Sequence, residues 1–167
     1  FSMLFPPEVM GSHIGPEQAH TPGRRQHLDF RAATALIGHL GIEWNLLETS
    51  ADERRAVAEA VAAHRRLRPL LHGGDVVRID HPDPSALVHG VVSADRRHAV
   101  FAHVQLTTTT STVPLPVRLA GLDDELRYEG RVVDELGPVR HNSRRLPPWM
   151  EAPSAVATGA ALTSSGL

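Results

Sequence analysis

The sequence contains no cysteine and no lysine, and aromatic residues make up only 4% of it. Without cysteine, disulfide bonds and thiolate metal sites are excluded, and we expect a cytoplasmic location. No apolar run approaches the roughly 18 residues of a membrane-spanning helix, and Phe1 does not begin a signal-peptide pattern. All 17 basic residues are arginine, and a formal net charge of -2 does not favour nucleic-acid binding. The composition therefore predicts neither a nucleic-acid partner nor a membrane partner.

The first 72 residues show helical periodicity. In LDFRAATALIGHL, residues 28–40, apolar side chains recur at helical spacing, and Gly41 is expected to end the helix. A second helix is predicted to start with a capping box of Ser50 and Glu53, which satisfies free N-terminal amides, and to end before Pro69. GIEWNLLE, between the helices, fits a short strand or a turn. Because FSMLFPPEVMGSHI is interpreted as a buried strand that ends in a loop, the alternation predicts an α/β arrangement.

From residue 73 the apolar period changes from about 3.6 to 2. DVVRID, ALVHGVVSAD, HAVFAHVQLT, VPLPVRLAG and RYEGRVVDE are short segments separated by Gly, Pro and Asp, which is typical of antiparallel strands. They predict a sandwich or a barrel. The tail from Arg145 is rich in Pro, Ser, Ala and Gly, and we expect it to be irregular apart from a late strand near Ala160.

Two stretches of the sequence carry a family resemblance. These are FPPEVMGSHIGPEQAHTPGRRQHLDFRAATALIGHLGIEWNL and HRRLRPLLHGGDVVRID. Their ordered motifs are Pro-Glu-Val-Met-Gly-Ser-His, Gly-Arg, Phe-Arg-Ala, Gly-His-Leu-Gly followed by Glu, and Arg-Pro-Leu-Leu with a Gly. In this order they resemble the late part of a bacterial α-galactosidase (melibiase) of glycoside hydrolase family 36. The resemblance runs from Phe1 to about residue 122 and continues more weakly to TGAALTSSGL.

The resemblance implies both a fold and an activity. It implies that residues 1–72 are the last elements of a (β/α)8 catalytic barrel and that residues 73–167 are a C-terminal antiparallel β-sandwich. It also implies hydrolysis of terminal α-D-galactosyl residues of melibiose-type or raffinose-type oligosaccharides, with retention. The family's nucleophile lies in a Lys-Trp-Asp type motif and its acid/base in a Ser-Asp-x-x-Asp type motif, and this sequence contains neither. We therefore expect a fragment from downstream of both aspartates that is inactive by itself.

Gly11, Ser12 and His13 are the predicted substrate-binding residues. In a (β/α)8 barrel the substrate lies at the carboxyl ends of the strands, where this tripeptide is expected. Gly11 would let a sugar approach the backbone, and the Ser12 hydroxyl and a His13 nitrogen could bond to sugar hydroxyls. The alternative is that the tripeptide only shapes the loop.

Carboxylates in the first 72 residues are candidates for catalytic groups, because retaining glycosidases use two carboxyl groups about 5 Å apart. Glu8 and Glu43 could meet at one end of a sheet. Ion pairs of Glu8, Glu17, Asp29 or Glu43 with Arg24, Arg25 or Arg31 are the preferred interpretation. No catalytic residue is therefore assigned, and Met10 and Trp44 are expected in the core rather than against a sugar.

The eleven histidines do not show the spacing of a metal site. They are scattered, with no His-x3-His pair on a helix and no cysteine to assist, so neither a metal nor a cofactor is predicted. The positions are His13, His20, His27, His39, His64, His72, His81, His89, His98, His103 and His141.

Other interpretations of the sequence stay open. The β-rich half could be a non-catalytic carbohydrate-binding or packing module, although its aromatic residues are only Phe101, Tyr128 and Trp149. A related α-glycosidic specificity, such as for α-N-acetylgalactosamine, is also compatible. If neighbouring barrel elements are missing, the apolar stripes around Leu36 and Val57 would be exposed, which predicts poor solubility or a homo-oligomer.

Overall fold

A computed structural model describes residues 4–19, 23–109, 111, 115–137 and 147–167. The chain divides into two compact units. The first is Phe1–His72 with Val133–Asn142, and the second is Gly73–Val132 with Ser143–Leu167. The predicted domains, 1–72 and 73–167, stay a prediction, because compactness by itself does not define a domain.

The first unit alternates strands and helices. Its elements are β1 (Gly11–Ile14), α1 (Leu28–Leu36), β2 (His39–Ile42) and α2 (Ala51–Leu71), with short 3-10 helices at Pro7–Val9 and Asp134–Leu136. Strands β1 and β2 are parallel, and their paired residues run from Gly11 opposite His39 to Ile14 opposite Ile42. The helix between two parallel strands is the expected crossover connection, so this part of the chain is α/β.

One face of the β1–β2 pair packs against both helices. Ile14, which is fully buried, lies in one core cluster with side chains of α1 and α2; the other members are Ala32, Ala35, Val57 and Ala60. Ile42 and Trp44 pack against the same cluster. Because side chains alternate along a strand, His13 and Glu43 lie on the opposite face. Among the described residues of the first unit, no helix covers that face, and His13 and Glu43 are exposed on it.

The predicted opening strand is wrong in its position. Leu4 and Phe5 are exposed in a turn, Pro7–Val9 forms a 3-10 helix, and the strand starts only at Gly11. Pro6 and Pro7 have no amide hydrogen to donate to a sheet and are pre-set for a helical turn. Gly11, Ser12 and His13 therefore form the strand itself instead of the loop after it.

The first predicted helix is too long. Helix α1 ends at Leu36, and residues 39–42 form β2 instead of a last helical turn. Glycine is a poor helix former, and Gly38 is followed by Gly41. A Cβ at Gly38 would lie 2.8 Å from the Met10 carbonyl oxygen, so this glycine also permits the close approach of the two strands.

The second helix starts as predicted but ends later. The Glu53 amide donates to the Ser50 hydroxyl oxygen (3.2 Å), and the Ser50 amide donates to the Glu53 carboxylate (2.8 Å), which confirms the capping box. The helix continues through Pro69 to Leu71. Leu71 is 1% exposed, and its burial favours one more turn despite the missing donor of Pro69.

The second unit is rich in antiparallel β-structure. Strands β3 (Asp75–Ile79), β4 (Ala86–Val92) and β5 (Ala99–Gln105) form one antiparallel sheet in that order. Strands β6 (Arg127–Gly130) and β7 (Ala155–Thr158) form a second. Both sheets contribute to one hydrophobic cluster around Val92, Leu122 and Leu162. The predicted antiparallel, β-rich second half is therefore confirmed at this level.

Two sequence predictions for the second unit need correction. VPLPVRLAG forms no strand within the described residues 115–121. Pro116 lacks a donor, and the amide and carbonyl of Val117 pair with those of Leu167. The tail is not irregular, because it contains α3 (Pro148–Glu151), β7 and α4 (Gly159–Ser164). The late strand precedes Ala160, which lies in α4.

The predicted exposure of the helical stripes is wrong. Leu36, Ile37 and Val57 are 5%, 6% and 5% exposed, because α1 and α2 pack against each other and against the strands. The homo-oligomer that was inferred from these stripes stays a prediction. Among the described residues, no helix combines the length and the apolar character that crossing a membrane requires.

Candidate functional site

A cavity of about 500 Å³ lies in the first unit beside β1, the loop that follows it and α1. Its lining combines charged, amide and hydroxyl side chains with one aromatic ring. Carboxyl ends of parallel strands are the usual place for ligands in α/β structures, and the cavity includes the carboxyl ends of β1 and β2. The lining residues are Ser12, His13, Gly15, Pro16, Glu17, Ala19, Arg24, Gln26, Phe30, Arg31, Thr34, Ala35 and Glu43.

The cavity brings together two of the three predicted site residues. Ser12 and His13 line it, and Gly11 does not. Ser12 shares a strand face with the buried Ile14, whereas His13 points to the opposite face, so the two side chains reach the cavity from different sides of β1. A role of these residues in substrate binding stays a prediction.

His13 and Glu43 form the polar part of the face without helices. His13 Nδ1 lies 3.9 Å from Glu43 Oε2, with the two side chains 52% and 79% exposed. His13 pairs with Gly41 across the strands. A Cβ at Gly41 would lie 2.6 Å from His13 Cδ2, so the glycine provides the space in which the imidazole ring lies.

Arg31 connects the segments around the cavity. Its guanidinium donates to the Gly15 carbonyl oxygen after β1 and to the Gln26 carbonyl oxygen before α1 (3.0 Å). Its Cζ lies 4.9 Å from the ring centroid of Trp44, which follows β2. Burial lowers the pKa of Arg31, and the carboxylates of Glu53, Glu17 and Asp29 act in the opposite direction.

The acidic residues that were candidates for catalysis do not form a pair around the cavity. Glu8 lies in a 3-10 helix instead of mid-strand, and it is absent from the cavity lining, whereas Glu43 belongs to it. The described residues therefore do not bring these two together as a pair around the cavity. Glu17 forms the expected ion pair with Arg25, at 4.0 Å. Asp29 accepts a hydrogen bond from the Phe30 amide (2.8 Å) at the start of α1.

Three histidines cluster at the other end of the strands. His39, at the start of β2, stacks on His72 with ring centroids 5.9 Å apart, and His64 meets His72 edge-on at 5.7 Å. Nε2 of His64 and Nε2 of His72 are buried without a hydrogen-bond partner. In the part of the chain that the structure describes, no group of His, Asp or Glu side chains is arranged to hold a metal ion. His20 and His141 lie outside the described residues.

We expect acid to destabilise the first unit through His64. Burial lowers the pKa of His64, and His72, Arg68 and His39 lower it further, while a hydrogen bond with the Gly38 backbone opposes them. The unfolded chain then binds the proton more readily than the folded chain. The free energy of unfolding is therefore expected to fall as the pH falls below about 6.5, the ordinary histidine pKa.

Urea unfolding between pH 8 and pH 5 checks this expectation. Trp149 is replaced by Phe, so that the fluorescence of Trp44 reports on the first unit. His64→Gln is expected to reduce the pH dependence. His27→Gln is the matched control, because His27 is exposed at the N-cap of α1. An equal pH dependence in His64→Gln and in the unchanged protein would contradict the assignment.

Phe101 and Tyr128 are partly buried, and they pack against the hydrophobic cluster of the second unit. Asp83 has its pKa lowered to about 2, mainly by hydrogen bonds from the Ser85 and Thr109 hydroxyls. These bonds stabilise the turn between β3 and β4.

Sequence reasoning missed the neighbours that complete the cavity. Phe30, Gln26 and Thr34 line it, but nothing in their spacing distinguishes them from ordinary helix and loop residues. Arg31 was considered only as the partner of a carboxylate. The Phe-Arg-Ala motif marked its position, but not the carbonyl groups that it contacts.

Comparison with known proteins identifies the family. The Melibiase family model matches residues 1–74, and the model of the glycosyl hydrolase family 36 C-terminal domain matches residues 87–167. An α-galactosidase of Escherichia coli is 39% identical over 171 residues, which cover 99% of this chain and 24% of that protein. α-Galactosidase AgaA of Geobacillus stearothermophilus is 28% identical over 77% of this chain and 18% of its own length.

Solved structures show the same similarity. The α-galactosidase of Lactobacillus brevis aligns with a TM-score of 0.75 and 26% identity, covering 98% of this chain and 20% of that chain. The structure of a double variant of AgaA in complex with raffinose aligns with a TM-score of 0.76 and 24% identity, covering 99% of this chain and 20% of that chain. The chain thus spans about a quarter or less of the length of these relatives. From the two consecutive family matches, which together span most of its residues, we conclude that the chain belongs to glycoside hydrolase family 36, the family of the melibiases.

Proposed function

We propose that this chain is part of an α-galactosidase that hydrolyses terminal α-D-galactosyl residues of melibiose-type or raffinose-type oligosaccharides with retention. The observation that carries the proposal is the 39% identity to the E. coli α-galactosidase, which extends over 99% of the chain. AgaA supports the substrate class, because its structures are described in complex with raffinose and with stachyose. A cytoplasmic location is part of the same proposal.

In the intact enzyme, the first unit supplies the last elements of a (β/α)8 barrel. The support is the one-sided packing of β1 and β2, because parallel sheets are normally covered on both faces. The face that carries His13 and Glu43 has no covering helix among the described residues of this unit. It is the face that would point to the barrel interior. The second unit supplies a β-sandwich, and the hydrophobic cluster shared by its two sheets supports this.

The chain contributes groups that bind the sugar. Retention requires one carboxylate to attack the anomeric carbon and a second carboxyl group to protonate the leaving oxygen. In the family that the sequence resembles, both carboxyl groups belong to aspartates in motifs that this sequence does not contain. His13 and the Ser12 hydroxyl are proposed to bond to sugar hydroxyls, and Gly11 leaves the backbone accessible.

Two protein samples test the proposal, with an aryl α-galactoside as the substrate. The intact enzyme is expected to hydrolyse it and to release the α-anomer of galactose first, as followed by proton NMR. Residues 1–167 alone are expected to show no hydrolysis above the buffer rate, because they lack both carboxyl groups of the reaction. Initial release of the β-anomer would refute retention. Turnover by the isolated chain would refute the assignment of catalysis to residues outside it.

A further inference from the structure

Arg31 is the one guanidinium, within the described residues of the first unit, that contacts segments after both strands. It donates to the Gly15 carbonyl oxygen in the segment after β1, and it lies over the ring of Trp44 in the segment after β2. Its Nε donates to the Gln26 carbonyl oxygen, which precedes α1. A single side chain from the first turn of α1 thus connects the segment before its own helix with the segments that follow the two strands.

These contacts require the guanidinium in particular. Its nitrogen atoms form a rigid planar fork that can donate in two directions while its face stacks on an aromatic ring. A lysine ammonium is a compact charge on a flexible stem, and it cannot make the two donations and the stacking contact together. Hydrogen bonds from a charged donor are also stronger than neutral ones. Arg31 is therefore suited to fix geometry, and not merely to neutralise a neighbouring carboxylate.

The fixed segments lie next to the polar residues of the cavity. Gly15 comes two residues after His13, and Trp44 comes directly after Glu43. His13, Glu43 and Arg31 all line the same cavity. His13 Nδ1 lies 3.9 Å from Glu43 Oε2. A shift of either segment would change this distance.

We propose that Arg31 is a positioning residue for glycoside hydrolysis, holding the segments after β1 and β2 so that His13 and Glu43 face the substrate together. This inference rests on the proposed α-galactosidase function. Arg31 acts through these segments and need not touch the sugar. Because a displacement of about 1 Å can cost about a hundredfold in rate, the loss of this connection should reduce turnover more than it reduces folding.

The experiment uses the intact enzyme and 4-nitrophenyl α-galactoside. Arg31→Lys is expected to lower kcat/KM by about ten- to a hundredfold, with most of the loss in kcat. Arg54→Lys is the matched control, because Arg54 donates to the Thr49 carbonyl oxygen and braces only the segment before α2. The control is expected to stay within about twofold of the unchanged enzyme. The folded fraction of each variant is measured by thermal unfolding.

A second variant keeps the test decisive if the lysine variant folds poorly. Arg31→Ala leaves space beside the ring of Trp44, and added guanidinium ion is expected to restore part of the kcat of this variant. The same ion is expected to restore none of the kcat of Arg31→Lys. Unchanged kinetics in Arg31→Lys would overturn the proposal, as would a loss that only follows the folded fraction. If the unchanged enzyme itself hydrolyses no α-galactoside, the proposed function fails, and this outcome is seen before any variant is measured.

Discussion

Replacing Gly159 with alanine is expected to lower the free energy of unfolding of the second unit by about 3 kcal/mol. A Cβ at this position would lie 2.0 Å from the carbonyl oxygen of Asp123 and 2.7 Å from its carbonyl carbon. These are backbone atoms, so no rotation of a side chain can relieve the overlap. Gly159 is buried at the start of α4, and its amide donates to the Leu126 carbonyl oxygen (2.9 Å). The new methyl group must therefore separate α4 from the segment at Asp123.

Urea unfolding followed by near-ultraviolet circular dichroism measures this effect. The control is Gly130→Ala in β6, where the nearest atom to a new Cβ is the Ala155 carbonyl oxygen at 3.9 Å. This variant is expected to stay within about 1 kcal/mol of the unchanged protein, because alanine loses less conformational entropy than glycine on folding. A similar stability for Gly159→Ala and Gly130→Ala would show that the backbone at Asp123 adjusts freely.

Gly38→Ala is expected to lower the free energy of unfolding of the first unit by about 2–3 kcal/mol and to disturb the pairing of β1 with β2. The new Cβ would lie 2.6 Å from Ser12 Oγ and 2.8 Å from the Met10 carbonyl oxygen. That carbonyl accepts the His39 amide (2.8 Å) at the start of the parallel pair. The overlap therefore acts on the hydrogen bond with which the two strands begin to pair.

A double-mutant comparison separates backbone from side-chain overlap. Removing the Ser12 side chain should not rescue Gly38→Ala, because the Met10 carbonyl oxygen remains. Gly41→Ala differs, since the three atoms nearest to its Cβ all belong to the ring of His13, with Cδ2 at 2.6 Å. This variant is expected to lower the free energy of unfolding by about 1 kcal/mol, because the half-exposed imidazole must rotate. Adding His13→Ala should restore the free energy of unfolding. The unfolding free energies of the single and double variants in urea give the coupling. Full rescue of Gly38→Ala by Ser12→Gly would contradict the role of the Met10 carbonyl.

Local signals in the sequence were sufficient for several elements. The capping box at Ser50 and Glu53 involves residues three positions apart, and the structure confirms it. The period-two segments predicted β3, β4, β5 and β6 because alternation reports which side of a strand is buried. The ordered motifs identified the family, which the comparisons confirm. In each case the signal lies within a short stretch of the chain.

Other features depend on residues that are far apart in sequence. Helix α1 stops early because its next residues pair with β1, and α2 passes Pro69 because Leu71 is buried. The segment Asp134–Leu136 belongs to the first unit, where Leu136 packs on the core and Glu135 pairs with Arg66 of α2 (2.5 Å). The period-two segment RYEGRVVDE predicted a strand as far as residue 135, which is wrong, because the strand ends at Gly130 and a 3-10 helix begins at Asp134.

The candidate site divides in the same way between sequence and structure. The motif Pro-Glu-Val-Met-Gly-Ser-His marked His13 as a site candidate. The neighbours of His13 were decided by the β1–β2 register, which places it over Gly41 and beside Glu43. The sequence by itself determined the family, the capped helix and the β-rich second half, because these depend on local patterns. Only the tertiary structure decided the end of α1, the passage of α2 through Pro69 and the contacts of Arg31, because burial and carbonyl geometry arise when distant segments pack together.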